Sequence, residues 1–249
     1  MAAPDWLTAR PIAHRGLHDR AAGRPENTLA AARAAVAGGF AIECDVQLSA
    51  DGEAMVFHDA ALGRLTGASE AIGTKSAVEL GALVVGGTAE TIPTLSAFLA
   101  AVAGAVPVVI EVKSRYDGDL RLATRAAEIA AASGGPVAMK SFDPQVVAAL
   151  RDFCPPAIPR GIVAETTQDD PAYAGMPWAT RRALSNLLHF SDSRPDFLSW
   201  RVDDIPCAPT YLCRLLGRIP VMAWTVRTED QRVRAGAHAD QMVFEGFVP

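Results

Sequence analysis

Short β-rich runs that alternate with alanine-rich helical runs constrain the fold of this chain more than any other feature. Several of them, such as Val108-Val109-Ile110, are almost continuously apolar, which is typical of parallel strands covered on both faces. Eight strands are predicted, most of them followed by a helix. The predicted strands are Ile12–His14, Ala41–Gln47, Val108–Lys113, Val137–Ser141, Pro159–Val163, Phe197–Arg201, Pro220–Thr225 and Gln241–Glu245.

Capping and breaking residues indicate where the helices begin and end. Asn27 is predicted to cap a helix over Thr28–Ala37, which Gly38-Gly39 ends. Pro144 suits the first turn of a helix over Gln145–Phe153. The other predicted helices are Leu95–Val102, Asp119–Ala132, Thr180–Leu188, Tyr211–Leu216 and Thr228–Ala235.

Eight strand–helix units in 249 residues match the size of a (β/α)8 TIM barrel, an α/β fold. A doubly wound open sheet fits the same alternation. However, no glycine-rich dinucleotide fingerprint follows the first strand, and the chain has no phosphate-binding loop with a Gly-Lys-Ser/Thr ending. We therefore expect one barrel domain over residues 1–249, with a short excursion, Asp59–Thr94, after the second strand.

Composition excludes several classes of function. The 23 basic and 28 acidic residues give a net charge of −5, which argues against nucleic acid as a partner. The most apolar stretch, Ala97–Val112, is interrupted by Pro107 and Glu111 and is too short to span a membrane. No signal peptide is recognised, so we expect a cytoplasmic protein without a transmembrane segment. The cysteines, which lack metal-ligand spacing and are interpreted as reduced thiols, are Cys44, Cys154, Cys207 and Cys213.

Two pairs of charged residues come late in apolar strands. Glu43 and Asp45 project to one side of their strand, and Glu111 and Lys113 do the same. In a barrel the late ends of the strands face the active-site mouth. Three converging carboxylates would repel one another without a cation between them, and Mg²⁺ or Ca²⁺ suits oxygen ligands. Separate surface carboxylates, or an ion pair between Glu111 and Lys113, are the alternative interpretation.

Two histidines are candidates for acid–base chemistry. His14 ends the first strand, and His58 follows a short apolar run. Beside a cation, one could take a proton from an attacking hydroxyl while the other protonates a leaving alkoxide. Arg15 could stabilise charge on a phosphoryl group. No such role is predicted for the remaining histidines, His18, His189 and His238.

The ordered set of these motifs resembles the glycerophosphodiester phosphodiesterase family. The likeness runs through nearly the whole chain, and the ordered set is far more specific than any single tripeptide. The segments that carry it are His14-Arg15-Gly16, Pro25-Glu26-Asn27-Thr28, Glu43-Cys44-Asp45, Val56-Phe57-His58-Asp59, Ile110-Glu111-Val112-Lys113, Ser141-Phe142-Asp143-Pro144 and Ala223-Trp224-Thr225-Val226.

The resemblance implies a TIM barrel that hydrolyses glycerophosphodiesters, small soluble molecules, to glycerol 3-phosphate and an alcohol. It implies that His14 and His58 act as general acid and base. One divalent cation, Mg²⁺ or Ca²⁺, would be bound by Glu43, Asp45 and Glu111.

The same resemblance implies a substrate-binding set. Arg15 and Lys113 would contact the phosphate or the glycerol, Glu26 would support the site, and Trp224 would line the substrate pocket. The attacking nucleophile could be water or a hydroxyl of the substrate's own glycerol.

Two segments depart from the family pattern. Lys140 stands where a neutral polar residue is usual, and it could bind an anionic head group or form an ion pair directed outward. The segment from Val243 to Pro249 contains no helical pattern. An incomplete eighth helix is therefore expected, with Pro4–Ala9 as a candidate for its place, and the role of the Glu245 region stays open.

Two other functions fit the motifs. A lysophospholipase D-like phosphodiesterase would resemble the spider-venom phospholipases D, which share the histidine and carboxylate motifs. It would need a membrane-docking surface, for which only Phe247 and the loop around Trp178 are candidates. A catalytically silent barrel is the other alternative. The sequence does not indicate the oligomeric state.

Overall fold

Nine strands form one continuous sheet in the computed structural model, which describes residues 3–169 and 173–249. The strands are β1 (Ile12–Ala13), β2 (Ala41–Leu48), β3 (Ala54–Val56), β4 (Val108–Val112), β5 (Val137–Ser141), β6 (Arg160–Ala164), β7 (Phe197–Arg201), β8 (Val221–Val226) and β9 (Gln241–Phe244). Eight of them run parallel in the order β1-β9-β8-β7-β6-β5-β4-β2, and the pairing of β1 with β2 closes the ring. This closure confirms the TIM barrel and excludes the open sheet.

The helices lie between these strands, as predicted. They are α1 (Leu29–Gly38), α2 (Gly63–Thr66), α3 (Ala77–Gly81), α4 (Leu95–Val102), α5 (Arg121–Ala132), α6 (Pro144–Phe153), α7 (Trp178–Ser185), α8 (Phe190–Ser193), α9 (Ala208–Gly217) and α10 (Glu229–His238). Asp143 caps α6, and Pro144 occupies its first turn. In the part of the chain that the structure describes, no helix combines the length and the apolar character needed to cross a membrane.

The pleat of the strands divides the barrel into two environments. The outward side chains, Ile42 and Cys44 among them, join the large core beneath the helices. The inward side chains at the early ends of the strands form a smaller apolar cluster. The inward positions at the late ends of β2, β4 and β5 are charged. The apolar members of the inner cluster are Leu7, Ile12, Ala41, Val109, Ala138, Phe197, Met222 and Val243.

The N-terminal segment closes the floor of the barrel. Asp5–Leu7 forms a short 3-10 turn, and Leu7 is buried in the inner cluster. The suggestion that Pro4–Ala9 replaces an eighth helix is therefore wrong. This segment instead covers the floor of the barrel, where the Leu7 side chain packs in the inner cluster. After β9, residues 245–249 form no helix, as expected.

Asn27 does not cap the first helix, contrary to the prediction. Its backbone has a φ of 59°, whereas an N-cap residue adopts an extended conformation. Thr28 is extended and accepts the Ala31 N–H, so Thr28 is the N-cap. The side chain of Asn27 therefore does not cap the helix and lies in the barrel interior, against Asp45.

The excursion after the second barrel strand has a small core of its own. Phe57, Leu62 and Ile72 belong to this separate buried cluster. Ahead of the excursion, β3 pairs antiparallel with the end of β2. The sequence analysis missed this strand because it is only three residues long. The excursion is therefore anchored both by the added strand and by its own packing.

One helix exposes an apolar face that the sequence analysis did not recognise. On α9, Leu215 and Leu216 are 60% and 75% exposed, and Tyr211 and Leu212 lie beside them. The view that only Phe247 and the Trp178 loop could approach a membrane is therefore incomplete. Helix α9 lies between β7 and β8 on the outside of the barrel.

Gly161→Ala is expected to destabilise the barrel. A Cβ at Gly161 would lie 2.2 Å from the ring of Phe197 on the neighbouring strand, and that ring is fully buried. Overpacking of this kind costs about 1–3 kcal/mol of the free energy of unfolding, measurable by denaturant titration. Gly236→Ala is the control. Nothing lies near Gly236 within helix α10, so alanine should stabilise the fold by about 0.5–1 kcal/mol.

Candidate active site

Three carboxylates meet inside the barrel at the late ends of β2 and β4. Glu43 and Asp45 share the inward face of β2, and the strand register places Glu111 beside Asp45. All three residues are at most 5% exposed. One oxygen from each lies within 4.8 Å of the other two. The predicted convergence is therefore present in the structure, and these three carboxylates are called the acidic triad below.

The acidic triad fits a hard divalent cation. Its donors are all carboxylate oxygens, which suit Mg²⁺ and Ca²⁺ better than softer metals. They are buried and close together, an arrangement that is costly unless positive charge lies among them. The triad could therefore hold one divalent cation.

Positive side chains of the protein surround the triad. Lys113 Nζ lies 2.7 Å from Asp45 Oδ1 and also contacts Glu111. Arg15 Nε lies 3.4 Å from Asp45 Oδ2. Burial by itself would raise the pKa of Asp45, but the charges of Lys113, His58 and Arg15 outweigh it and hold that pKa well below its usual value. Asp45 therefore stays ionised.

Lys140 points into the barrel, contrary to the outward ion pair considered from the sequence. It is 2% exposed, and its Nζ lies 3.0 Å from Glu43 Oε1 and 3.3 Å from Glu111 Oε2. Burial lowers the pKa of Lys140, but these two carboxylates raise it further. The lysine is therefore a cation in contact with the triad, and among the residues that the structure describes it forms no outward ion pair.

His14 is held by a carboxylate from the last strand. Its Nδ1 contacts Glu245 Oε2, while its Nε2 faces Glu43 Oε2 at 3.9 Å. Burial tends to raise the pKa of Glu245, but its bonds to His14, His18 and Arg227 lower it far more. Glu245 is thus an anion that fixes the orientation of the His14 ring.

His58 is held in a similar way. Its Nδ1 lies 2.7 Å from Asp59 Oδ1. Its side chain is 33% exposed, and within the described residues its Nε2 has no hydrogen-bond partner. Both predicted histidines therefore have Nδ1 on a carboxylate, which leaves Nε2 for the reacting groups.

Glu26 joins two arginines at the mouth. Arg15 Nη1 donates to Glu26 Oε1 at 2.6 Å, and Arg64 donates to both Glu26 oxygens at 2.7 and 2.8 Å. Arg64 also donates to Asp59. Glu26 therefore belongs to a network of charged side chains that links the excursion to the barrel.

Trp224 lines the opposite side of the mouth. Its Nε1 donates to the Ser199 carbonyl at 2.9 Å, and its ring meets Phe142 edge to face at 5.6 Å. With Glu165, Arg201 and other residues it borders a cavity of about 270 Å³. The substrate-binding role of Trp224 stays a prediction.

Several residues at the site had no functional role predicted from the sequence, Asp59 beside His58 among them. Asn27 donates to Asp45 Oδ2 at 2.9 Å and accepts its backbone N–H at 3.2 Å. Glu245 ends an apolar strand as His14 does, a signal that could have identified it. His18, assigned no role, lies 3.4 Å from Glu245. Arg64 carries no comparable signal because it comes from the weakly patterned excursion.

One family model matches most of the chain. Residues 14–243 match the model of the glycerophosphoryl diester phosphodiesterase family. Comparison with curated proteins gives no match. Among solved structures, a phosphodiesterase from Oleispira antarctica in complex with sn-glycerol-3-phosphate has a TM-score of 0.77 at 23% identity, over 96% of this chain and 94% of that one.

A second solved structure gives the same result for the fold. The glycerophosphodiester phosphodiesterase from Thermotoga maritima has a TM-score of 0.71 at 23% identity, covering 94% of this chain and 92% of that chain. Likeness at this level of identity establishes the shared barrel architecture.

Proposed function

We propose that this chain hydrolyses glycerophosphodiesters with one divalent cation bound by Glu43, Asp45 and Glu111. The chain belongs to the glycerophosphoryl diester phosphodiesterase family and is an enzyme of that class. One observation carries the proposal. His14 Nε2 faces Glu43 of the acidic triad and His58 acts electrostatically on Asp45, and each histidine is held at Nδ1 by its own carboxylate. The cation would be Mg²⁺ or Ca²⁺.

Positive groups of the chain would bind the phosphate. Arg15 and Lys113 both reach Asp45, so both line the space beside the triad and can contact phosphoryl oxygens. A bound cation would act there as a Lewis acid that stabilises charge on the phosphoryl group. Glu26 would hold Arg15 in place, and Trp224 would pack against the glycerol or the alcohol.

The histidines would move the protons. The Nε2 of one histidine accepts a proton from the attacking hydroxyl as its oxygen bonds to phosphorus. The Nε2 of the other gives a proton to the alcohol oxygen as its bond to phosphorus breaks. The attacking hydroxyl is a water molecule or a hydroxyl of the glycerol. In the second case a cyclic phosphodiester forms first and water then opens it, with the two histidines exchanging roles.

Release of glycerol 3-phosphate from glycerophosphocholine tests this function directly. Product formation would be followed by coupling to glycerol 3-phosphate dehydrogenase, with Mg²⁺, with Ca²⁺ and with a chelator. We expect cation-dependent release of glycerol 3-phosphate from this water-soluble, deacylated substrate.

A choline-release assay on both substrates separates the alternatives, because choline is the product that the two reactions share. A folded protein that releases no product with either cation would contradict the proposal. Activity on lysophosphatidylcholine alone would instead favour the lysophospholipase D-like reaction, in which the apolar face of α9 could contact the lipid. Inactivity on both substrates would favour a silent barrel.

A further inference from the structure

Lys140 is a third positive group in contact with the acidic triad. It is buried on the inward face of β5, and the strand register places it beside Glu111. Its ammonium group bridges Glu43 Oε1 and Glu111 Oε2, at 3.0 and 3.3 Å. Within the described residues, Lys140 is the only cationic side chain in ion-pair contact with Glu43 Oε1.

The lysine changes the charge that a cation would meet. The three carboxylates of the triad are contacted by three cations of the chain, Lys113, Arg15 and Lys140. The formal charge of this set is therefore zero. A neutral residue in place of Lys140 would leave it at −1, which would attract a divalent cation more strongly.

The lysine also limits which oxygens are available. One oxygen of Glu43 and one of Glu111 face its ammonium group. Coordination by both oxygens of either carboxylate would bring a dication directly against this buried positive charge. Lys140 therefore leaves one oxygen of each glutamate, Glu43 Oε2 and Glu111 Oε1, outside its own contact, although Lys113 contacts Glu111 Oε1.

The two candidate cations differ in this respect. Ca²⁺ takes six to eight oxygens and often uses both oxygens of a carboxylate, whereas Mg²⁺ uses one or two carboxylates and retains several waters. We propose that Lys140 makes the triad selective for Mg²⁺ over Ca²⁺ by confining Glu43 and Glu111 to single-oxygen coordination. This inference rests on the proposed function, because it concerns the cation of that site.

Direct binding measurements test the proposal without reference to turnover. The full chain, first stripped with a chelator, would be titrated with MgCl₂ or CaCl₂ by isothermal titration calorimetry. The wild type should bind Mg²⁺ more tightly than Ca²⁺. In Lys140→Gln both affinities should rise, and the Kd ratio of Ca²⁺ to Mg²⁺ should fall at least about tenfold.

Two further variants make the result specific. Lys140→Met removes the charge with a side chain of similar length and should shift the ratio in the same direction. Lys75→Gln removes a lysine that pairs with Glu70 away from the triad and should leave the ratio unchanged. Thermal unfolding by circular dichroism would establish that each variant is folded.

Each outcome decides the matter. A wild type that binds Ca²⁺ as tightly as Mg²⁺ overturns the proposal with no variant needed, and so does an unchanged ratio in both Lys140 variants. In either case, cation binding with glycerol 3-phosphate release would leave the proposed function standing. Absence of cation binding by every protein would overturn the metal site itself.

Discussion

His14→Ala is expected to lower kcat for glycerophosphocholine hydrolysis by about two to four orders of magnitude, the range found for general acid–base catalysts. The ring lies between Glu245 and Glu43, with its Nε2 directed at the triad. Alanine therefore removes a proton-transfer group at the reacting centre. The measurement is steady-state glycerol 3-phosphate release at saturating cation.

A matched histidine variant controls for this change. His238 ends α10 and is not part of the site, so His238→Ala should retain the wild-type rate. The melting temperature of His14→Ala should stay close to that of the wild type, since Arg227 and His18 still neutralise Glu245. A folded His14→Ala protein with a rate within about threefold of wild type would exclude His14 as acid or base.

Glu111→Gln is expected to weaken cation binding and to slow hydrolysis by about a hundredfold or more. Lewis-acid stabilisation is worth several kcal/mol, and each 1.36 kcal/mol corresponds to about tenfold in rate. The amide keeps the shape of the side chain but removes one charge from the triad. Calorimetric Kd values and kcat/KM would be measured on the same protein.

A surface glutamate and a chelator complete this experiment. Glu70→Gln alters an exposed partner of Lys75 and should change neither quantity. A chelator should abolish wild-type hydrolysis, and added cation should restore it. Undiminished hydrolysis in the chelator would show that the reaction proceeds without a bound cation.

Most of the barrel could be predicted because its signals are local. The apolar runs and the Gly38-Gly39 stop specify the strands and the first helix, and strand alternation alone places Glu43 and Asp45 on one face. The short β3 and the one-residue shift of the cap from Asn27 to Thr28 depend on tertiary contacts. The Asn27 side chain forms two hydrogen bonds with Asp45 inside the barrel, and helix-capping propensity takes no account of such a distant partner.

In the site, too, features set by the local sequence could be predicted, whereas contacts between distant segments could not. A residue's position along its strand was enough to identify the triad. The inward direction of the Lys140 side chain was not predicted, because it depends on the carboxylates of Glu43 and Glu111 on other strands. The pairing of Glu245 with His14 joins residues 231 positions apart, and nothing in either segment alone specifies it.

That pairing makes catalysis a property of the closed ring. His14 follows the first strand, Glu245 follows the last, and β1 and β9 are paired neighbours in the closed ring. A growing polypeptide emerging from the ribosome would hold nearly every other active-site group before β9 exists, yet its first histidine would still lack its anion. Appearance of hydrolytic activity during refolding would therefore report the pairing of β1 with β9, whose associated contact between His14 and Glu245 spans 231 positions and carries a large loop-closure cost.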